Sequence, residues 1–317
     1  MIGTADWQIR RAVFDWLTEQ RESVGEALSR DSLERFELDG RRVPLVGPSG
    51  IWKPAVCELP LAISTIVHGP YSDTFDDRSG TLRYSYRGND PSHRDNVGLR
   101  RAMNERVPLV YFHAVAPGSY VAAYPVFVVA DDPAALTFTM QVDDLSASLL
   151  AAAPGLRVAE NEAEARRAYV TRSVRQRLHQ VAFRERVIRA YQERCALCNL
   201  RHQELLDAAH IIPDTDPEGD PIVSNGVALC KLHHAVFDRF FFAIRPDYVI
   251  EVSPRILAEH DGPMLVVGLQ QIHGSRIAVP AHVSDRPDTD RLGRRYSQFL
   301  ATLGQPSNPR VMNGGAL

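Results

Sequence analysis

The sequence predicts an α+β protein with more than one domain, and three observations lead to this fold class. Residues 1–40 carry apolar side chains at helical spacing. Residues 51–140 hold runs rich in β-branched and aromatic residues, separated by Gly, Pro, Asp and Asn, which is typical of strands. Residues 161–193 contain neither Pro nor Gly and again show helical periodicity. At 317 residues, the chain is long enough for two or three small cores.

These elements divide the chain into five predicted segments. They are a helical amino-terminal module at 1–45, a β-rich domain at 46–145, a helical arginine-rich linker at 146–190, a compact domain at 191–255, and a carboxy-terminal extension with a disordered tail at 256–317. Within the β-rich domain, RDNVGLRRAMNE is the clear helical candidate. Within the extension, MLVVGL is a strand candidate, and the tail GQPSNPRVMNGGAL is too polar to pack.

Composition and charge indicate the class of protein and its expected location. Hydrophobic residues make up 44% and charged residues 24% of the chain, and the net charge is −3, as in ordinary globular proteins. No run approaches 18 apolar residues and the start lacks the pattern of a secretory leader, so we expect no membrane span or membrane partner. The expected location is the bacterial cytoplasm, where disulfides are rare and paired cysteines usually serve metal or redox chemistry.

One segment departs from the even charge balance. Between residues 166 and 194 the chain has nine arginines and only two glutamates. A positive run of this kind favours contact with a phosphate backbone, and the alternative is a solvated helix face. The candidate phosphate-binding residues are Arg172, Arg175, Arg177 and Arg184.

Three of the four cysteines lie in two short motifs, CALC at 195–198 and CKLHH at 230–234. A two-residue spacer lets one turn present two ligands, and four Cys or His ligands complete the tetrahedral shell of a structural Zn²⁺. The predicted zinc ligands are Cys195, Cys198, Cys230 and His233. Incidental core cysteines or a redox C-x-x-C are the alternatives, and a redox pair does not explain the second motif. Cys57 is left over as a small buried apolar residue.

Three polar residues around these motifs carry a family resemblance. His210 in DAAHIIP, Asn225 in SNGVALC and His234 in LHHAVFD follow one another in an order that resembles the HNH endonuclease signature. The resemblance covers about 195–240 and implies a zinc-stabilised ββα-metal domain, in which a hairpin carries the first His, a loop the Asn and a helix the last His. The family's zinc site usually has four cysteines, so His233 is a mild departure.

The chemistry of these residue types agrees with phosphodiester hydrolysis. That reaction needs an activated water and stabilised charge on the phosphate and the leaving oxygen, and a neutral imidazole is a suitable base near pH 7. By resemblance, His210 is the base, and Asn225 bonds either to the His210 imidazole or to the local backbone. His234 would bind a single catalytic ion, Mg²⁺ or Mn²⁺.

The second ligand of this ion is the point at which the sequence departs from the family. Many members place Asp or His directly before the base, where this chain has Ala209. Residues two apart on a strand share a face, so Asp207 is the expected replacement. Asp238 is the alternative.

The strand–helix–strand order of residues 51–140 resembles a PUA-like β-barrel, the superfamily that includes SRA domains. The resemblance implies a pocket that receives a flipped, modified cytosine, which needs rings for stacking and polar groups for the base edge. Tyr71, Tyr84, Tyr86, Phe112 and Tyr120 supply candidate rings, and Asp73, Asp90 and His113 supply candidate polar groups. The alternative is that these rings simply pack a barrel core.

Together these features predict a DNA endonuclease that uses a one-metal HNH mechanism and depends on 5-methylcytosine or 5-hydroxymethylcytosine in double-stranded DNA. A homodimer is expected, because cutting two strands with one site per chain requires two chains. The alternatives are an HNH nuclease directed by sequence or by a partner protein, and a non-catalytic zinc module that binds DNA.

Overall fold

The computed structural model describes residues 2–65, 74–76, 81–143 and 160–304. Two base-pocket candidates, Tyr71 and Asp73, lie outside the described residues, as do residues 305–317 of the predicted tail. Contacts between Cα atoms divide the chain into two compact units, Met1–Ala182 and Phe183–Leu317. The five-segment division remains a prediction.

The first unit combines a large sheet with helices. Its described helices are α1 (Thr4–Ser23), α2 (Arg30–Glu34) and α3 (Arg94–Asn104), and α4 (Glu160–Ala190) begins here and ends in the second unit. Its strands are β1 (Ala27–Ser29), β2 (Glu37–Leu38), β3 (Arg41–Arg42), β4 (Ile51–Trp52), β5 (Ala62–Ser64), β6 (Thr74–Asp76), β7 (Thr81–Ser85), β8 (Leu109–Ala116), β9 (Ser119–Asp132) and β10 (Thr137–Val142). The helix predicted from RDNVGLRRAMNE is α3.

Eight strands form one mixed sheet in this unit. Their order is β4–β5–β8–β9–β10–β7–β6, and β1 pairs with β9 outside this path. β5 and β8 are parallel, and the other described pairs of the sheet are antiparallel. Register shifts in the β8–β9 and β9–β10 pairs mark bulges, which bend strands and increase their twist. The α+β class is confirmed, whereas the PUA/SRA-like arrangement remains a prediction.

The sheet has an apolar cluster on each face. Successive residues of a strand point to opposite faces, so Tyr111 and Phe112 of β8 enter different clusters. Helix α1 covers one face with the buried stripe that its periodicity predicts, including Phe14 and Leu17. Leu99 of α3 belongs to the opposite cluster. Most of the described aromatic residues of the β-rich segment therefore serve as core of this sheet.

The second unit is built around a hairpin followed by a helix. Strands β11 (Leu206–His210) and β12 (Gly226–Cys230) pair antiparallel, and helix α5 (Lys231–Asp238) begins directly after β12. A second hairpin joins β13 (Phe242–Ile244) to β14 (Ile250–Val252). Helices α6 (Pro254–Ala258), α7 (Pro263–Leu265) and α8 (Thr289–Leu303) follow.

One prediction about the extension is wrong. MLVVGL forms helical turns, α7 and a π-helical turn at Val266–Gln270, rather than a strand. A short apolar run does not distinguish strand from helix, and Pro263 at the first position favours a helix start. Leu269 packs in the core of the unit while Val267 is exposed, so the run is buried on one side only.

No helix within the described ranges is both long and apolar enough to span a bilayer.

Candidate active site and metal centre

The first half of the metal centre is a tight turn after helix α4. The N–H of Cys195 donates to the Leu200 carbonyl at 2.9 Å, and the N–H of Asn199 donates to the Cys195 carbonyl at 3.0 Å. Asn199 has φ of 62°, a left-handed conformation that Asn tolerates better than most residues. The N–H of Ala196 donates to the Ala228 carbonyl at 2.8 Å, which ties the turn to β12. This turn holds both CALC thiols beside the end of the hairpin.

The second half comes from the junction of β12 and α5. Cys230 ends the strand and His233 lies in the first turn of the helix. The ligand atoms of Cys195, Cys198, Cys230 and His233 all lie within 4.8 Å of one another. His233 Nδ1 is 3.4 Å from Cys195 Sγ and 3.2 Å from Cys230 Sγ, and the Cys198 and Cys230 sulfurs are 3.9 Å apart.

These distances fit a tetrahedral ion. Zn–S bonds of about 2.3 Å and Zn–N bonds of about 2.0 Å place neighbouring ligand atoms about 3.5–3.8 Å apart. His233 is oriented by a further contact, because its Nε2–H donates to the Gly268 carbonyl at 2.8 Å and leaves Nδ1 for the metal. The donor set and its spacing therefore suit a structural Zn²⁺.

Hydrogen bonds within the cluster also shift the pKa of its groups. Burial works to lower the pKa of His233, but hydrogen bonds to the Cys195 and Cys230 sulfurs outweigh it and raise that pKa to about 10. Hydrogen bonds from Cys198 and Cys230 lower the pKa of the Cys195 thiol. Hydrogen bonds with Cys195 and Cys230 instead raise the pKa of the Cys198 thiol, so the cluster shares protons among its groups, and a metal ion would take the place of those protons on binding.

His210 ends strand β11 opposite Gly226 of β12. Its imidazole stacks on the Phe183 ring, with 4.0 Å between centroids and 19° between planes. The Nε2 atom is buried and has no hydrogen-bond partner among the described residues. Desolvation lowers the pKa of His210 from 6.5, with smaller effects from the charges of Asp214, His234 and Asp238. The ring is therefore neutral at pH 7, the state in which an imidazole can accept a proton.

Glycine at 226 is what allows this stack. A Cβ on Gly226 would lie 2.5 Å from Val187 Cγ2 and 2.8 Å from Phe183 Cζ, far inside van der Waals contact. Both neighbours belong to helix α4, which therefore approaches the hairpin directly behind the residue paired with His210.

Asn225 fixes the loop that separates the two strands. Its side chain is fully buried, with Oδ1 accepting from the Ile212 N–H at 2.9 Å. Its Nδ2 donates to the carbonyls of Ile212 and Asp220, both at 3.0 Å. Of the two roles open from the sequence, bonding to the local backbone is the one the structure has. Asn225 thereby sets the path of the chain immediately after His210.

His234 lies about 100° further round helix α5 than His233, so the two rings face different groups. Its Nδ1 is 3.3 Å from Asp207 Oδ2, and its Nε2 is 3.3 Å from Asp238 Oδ2. Asp207 is the more enclosed carboxylate, with its side chain 23% exposed against 54% for Asp238. The structure thus brings both predicted candidates for the second ligand to His234, one at each ring nitrogen.

Asp207 is surrounded by positive charge. Its two oxygens accept from Lys231 Nζ at 2.7 and 2.8 Å, and Arg184 Nε lies 3.8 Å away. The hydrogen bond with His234 and the contact with Lys231 hold the pKa of Asp207 well below its usual range, against desolvation. An ionised carboxylate beside an imidazole gives the O and N donors that a divalent cation needs, and such a cation would replace Lys231 Nζ at the Asp207 oxygens.

The comparison with known families agrees with this geometry. Residues 195–245 match the family model described as HNH endonuclease. Residues 195–245 are an HNH endonuclease domain. The predicted enzyme class is therefore confirmed, and the domain contains the metal centre together with His210, Asn225 and His234.

Two solved structures are also similar to the chain. One is titled "Modification dependent TagI restriction endonuclease", with 16% identity, a TM-score of 0.28, and coverage of 85% of this chain and 90% of that chain. The other is the "Type IV phosphorothioation-dependent restriction endonuclease ScoMcrA", with 14% identity, a TM-score of 0.23, and coverage of 80% of this chain and 52% of that chain. TM-scores of this size do not establish a shared fold, so the family assignment rests on residues 195–245. No curated protein matches the sequence.

The four arginines proposed to contact DNA fall into two groups. Arg184 donates to the carbonyls of Gln203 and Leu206, at 2.9 and 2.8 Å, and so supports the HNH hairpin. Arg177 donates to the Ala122 carbonyl at 3.0 Å and lies 3.4 Å from Glu26. Arg172 is exposed, and Arg175 is partly exposed with Nε 3.4 Å from His179. Arg172 and Arg175 are therefore the better placed to meet a phosphate.

The described base-pocket candidates lie in or beside the sheet core of the first unit. Tyr84 and Tyr86 belong to one apolar cluster, whereas Phe112 and Tyr120 belong to the other. Tyr86 donates to Asp131 and accepts from Arg100, and Tyr84 donates to the Ser64 carbonyl. His113 is partly buried, with Nδ1 3.1 Å from Tyr111 Oη, and Asp90 is exposed. The structure does not bring these residues into one group.

The contacts of Lys231 and Phe183 in the HNH site were not predicted from the sequence. Lys231 is one of only two lysines in the chain and lies inside CKLHH. The rarity of lysine, together with this position, could have marked Lys231 as a site residue. Phe183 has no such signal, because a phenylalanine in an apolar helical stripe is expected in any core.

Proposed function

We propose that the HNH domain hydrolyses phosphodiester bonds of double-stranded DNA. The observation that carries this proposal is the pairing of a neutral, half-buried His210 with a carboxylate–imidazole site at Asp207 and His234. The two parts are near enough for the charge of His234 to shift the pKa of His210. A non-catalytic zinc module would need only the four zinc ligands, so it leaves this second constellation unexplained.

In the proposed reaction, His210 takes a proton from the attacking water. Its Nε2 is buried, which leaves Nδ1 as the ring nitrogen that receives the proton. The Phe183 ring keeps the imidazole plane fixed, and Asn225 fixes the backbone on the far side of His210. A divalent cation, Mg²⁺ or Mn²⁺, held by Asp207 and His234, would supply positive charge to the phosphate and the 3′ leaving oxygen. The Lys231 side chain is 57% exposed, and its Nζ, displaced from the Asp207 oxygens by that cation, is placed to contact the same phosphate.

The pH dependence of cleavage tests the state of His210. Since burial lowers the pKa of His210 below 6.5 and the neutral ring is the active form, we expect the rate to rise with pH, to pass its midpoint below pH 6.5 and then to level off. Below the lowered pKa, the rate should fall by about tenfold for each pH unit. The measurement is the single-turnover rate between about pH 5 and pH 8 at saturating Mg²⁺, with zinc content checked at each pH. A break in the profile above pH 6.5 would contradict the assignment.

The choice between the two carboxylates is open to a direct comparison. We expect Asp207→Ala to raise the Mg²⁺ concentration for half-maximal rate by about 10- to 100-fold, because it removes an ionised ligand. Asp238→Ala is the matched variant, since it removes the carboxylate at the other nitrogen of His234. If only Asp238→Ala shifts the Mg²⁺ requirement, the ligand role belongs to Asp238.

The exposed Arg172 and the partly exposed Arg175 of α4 are proposed to bind the DNA backbone. Neutralising Arg172 and Arg175 to Gln should flatten the dependence of log K on log salt by up to about 0.9 for each phosphate that the variant no longer binds. The control is the double change of Arg11 and Arg35 to Gln, which removes one exposed arginine of α1 and one that directly follows α2. An equal slope for both double variants would indicate that the arginine run is a solvated helix face and does not bind DNA.

We further propose that the amino-terminal half directs the HNH domain to DNA that carries 5-methylcytosine or 5-hydroxymethylcytosine. The support is the resemblance of residues 51–140 to PUA-like and SRA domains. Because Tyr84 and Tyr86 are buried, other rings would have to stack on the flipped base. Two copies of the chain would act together on the two strands. The test is cleavage by the full chain of one plasmid prepared with and without cytosine modification. Equal rates would favour a nuclease directed by sequence or by a partner.

A further inference from the structure

Arg295 is a buried arginine on helix α8, well beyond the residues that match the HNH family. Its side chain is only 6% exposed. One terminal nitrogen donates to the Ile211 carbonyl at 3.1 Å, and the other donates to the Phe237 carbonyl at 2.9 Å. The guanidinium carbon also lies 3.9 Å from the centre of the Phe237 ring.

The two carbonyls belong to the two elements that carry the proposed catalytic histidines. Ile211 directly follows His210, and Phe237 lies three residues after His234 on helix α5. Arg295 also lies 3.7 Å from Asp238, whose other oxygen is 3.3 Å from His234 Nε2. A single guanidinium therefore links the end of strand β11 to the end of helix α5.

The cost of burying this charge argues against a role in packing alone. Desolvation lowers the pKa of Arg295 to about 10, and its Nε has no hydrogen-bond partner within the described part of the chain. A buried cation is expensive, and an apolar side chain of similar volume often gives equal or greater stability. What an apolar side chain cannot do is hold two carbonyls in a fixed relative position, which a planar fork of donors does.

Neighbouring arginines on α8 provide a contrast. Arg291 donates to the Glu218 carbonyl at 2.6 Å, and Arg294 pairs with Asp216 and Glu218. Both contact the exposed loop between the hairpin strands, and neither has a described contact with the strand or helix that bears the histidines. Arg295 is the arginine of this helix that reaches both.

We infer that Arg295 is a positioning residue of the nuclease, which sets the distance between His210 and the His234 site from the carboxy-terminal extension. This inference rests on the proposed function of those histidines. Its consequence is that the catalytic unit extends to α8, although the family match ends at residue 245.

The experiment uses the full-length, zinc-loaded chain with Arg295→Met, Arg295→Lys and the control Arg294→Met. Since a displacement of about 1 Å can cost roughly 100-fold in rate, we expect the kcat of both Arg295 variants to fall by about that factor with KM for DNA unchanged. Lysine should not rescue, because its single ammonium cannot reproduce the two-armed contact. Arg294→Met should stay within about threefold of the wild type, as for a surface change.

Two further measurements distinguish a positioning role of Arg295 from a role in stability alone. The imidazole NMR signal of His210, assigned by its loss in His210→Gln, should shift or broaden in Arg295→Met and not in Arg294→Met. In Arg295→Ala, added guanidinium ion should restore part of the cleavage rate by filling the vacated site, and added ammonium should not. If Arg295→Met fails to fold, Arg295→Lys takes its place, because it keeps a buried cation, and wild-type kcat in that variant would overturn the inference.

Wild-type kcat in Arg295→Met with an unchanged His210 signal would overturn the inference. So would a rate loss that guanidinium does not restore in a folded Arg295→Ala. His210→Ala, assayed alongside, distinguishes failure of the proposed function from failure of the inference about Arg295. If His210→Ala cuts like the wild type, the proposed function fails, whereas an inactive His210→Ala beside a fully active Arg295→Met defeats only the inference about Arg295.

Discussion

Replacing Cys198 by serine should unfold the HNH domain and remove its zinc. Structural zinc contributes about 10–16 kcal/mol of apparent binding free energy to small domains, which is comparable with the roughly 5–15 kcal/mol by which a whole domain is stable. Cys198 is exposed, so serine leaves no cavity and the effect reports the metal bond itself. The measurement is zinc per chain by elemental analysis together with thermal unfolding.

Cys57→Ser is the matched control for this change. Cys57 is buried in the first unit, far in sequence from the metal ligands, and burial raises the pKa of its thiol to about 11. We expect it to keep one zinc per chain, even if it lowers the stability of the first unit. Full zinc content and unaltered unfolding in Cys198→Ser would show that the four-residue cluster does not hold a structural ion.

His210→Ala should abolish cleavage while the fold and the DNA affinity are retained. A positioned general base contributes about 10²- to 10⁴-fold to the rate, and alanine cannot replace it. The fold should survive, because His210 makes no side-chain hydrogen bond among the described residues and its main contact is the Phe183 stack. The measurement is the single-turnover rate on plasmid DNA, with DNA binding measured separately in the absence of cleavage.

His202→Ala is the control, since His202 is an exposed histidine of the same segment. It should cut at the wild-type rate. If His210→Ala keeps its rate within about tenfold of the wild type, which is roughly 1.4 kcal/mol in barrier height, His210 is not the base.

The metal centre and the order of the HNH residues could be predicted from the sequence because both depend on local spacing. Two residues separate the ligands in each zinc motif, and one helical step separates His233 from His234. The strand period placed Asp207 as a candidate ligand, and the structure puts it 3.3 Å from His234. Local periodicity carries such information without knowledge of the fold.

The contacts that could not be predicted join residues far apart in the chain. Arg295 meets Ile211 across 84 positions, and nothing in RLGRRYSQFLATL distinguishes it from Arg291 or Arg294. Likewise, the arginine run of α4 gave no sign that Arg177 and Arg184 bond to backbone carbonyls while Arg172 is exposed. Such differences arise from tertiary packing, which composition does not encode.

The amino-terminal half shows the same limit of local information. Aromatic and β-branched runs predicted strands, and the structure has an eight-stranded sheet there. Which rings of those strands face a core is decided by how the sheet is covered. Tyr84 and Tyr86 are buried in the structure. The sequence pattern alone did not decide whether these two rings are buried or exposed.

Asp207, His210 and His234 are proposed to form a nuclease site, and cleavage of plasmid DNA by the purified, zinc-loaded full chain after addition of Mg²⁺ or Mn²⁺ tests this site. His210→Ala and His234→Ala are assayed beside it, on DNA with and without modified cytosine. We predict nicked and linear products from the wild-type chain and none from either variant. Equal product from all three proteins, or no product from the wild type on any of these substrates, would contradict the claim.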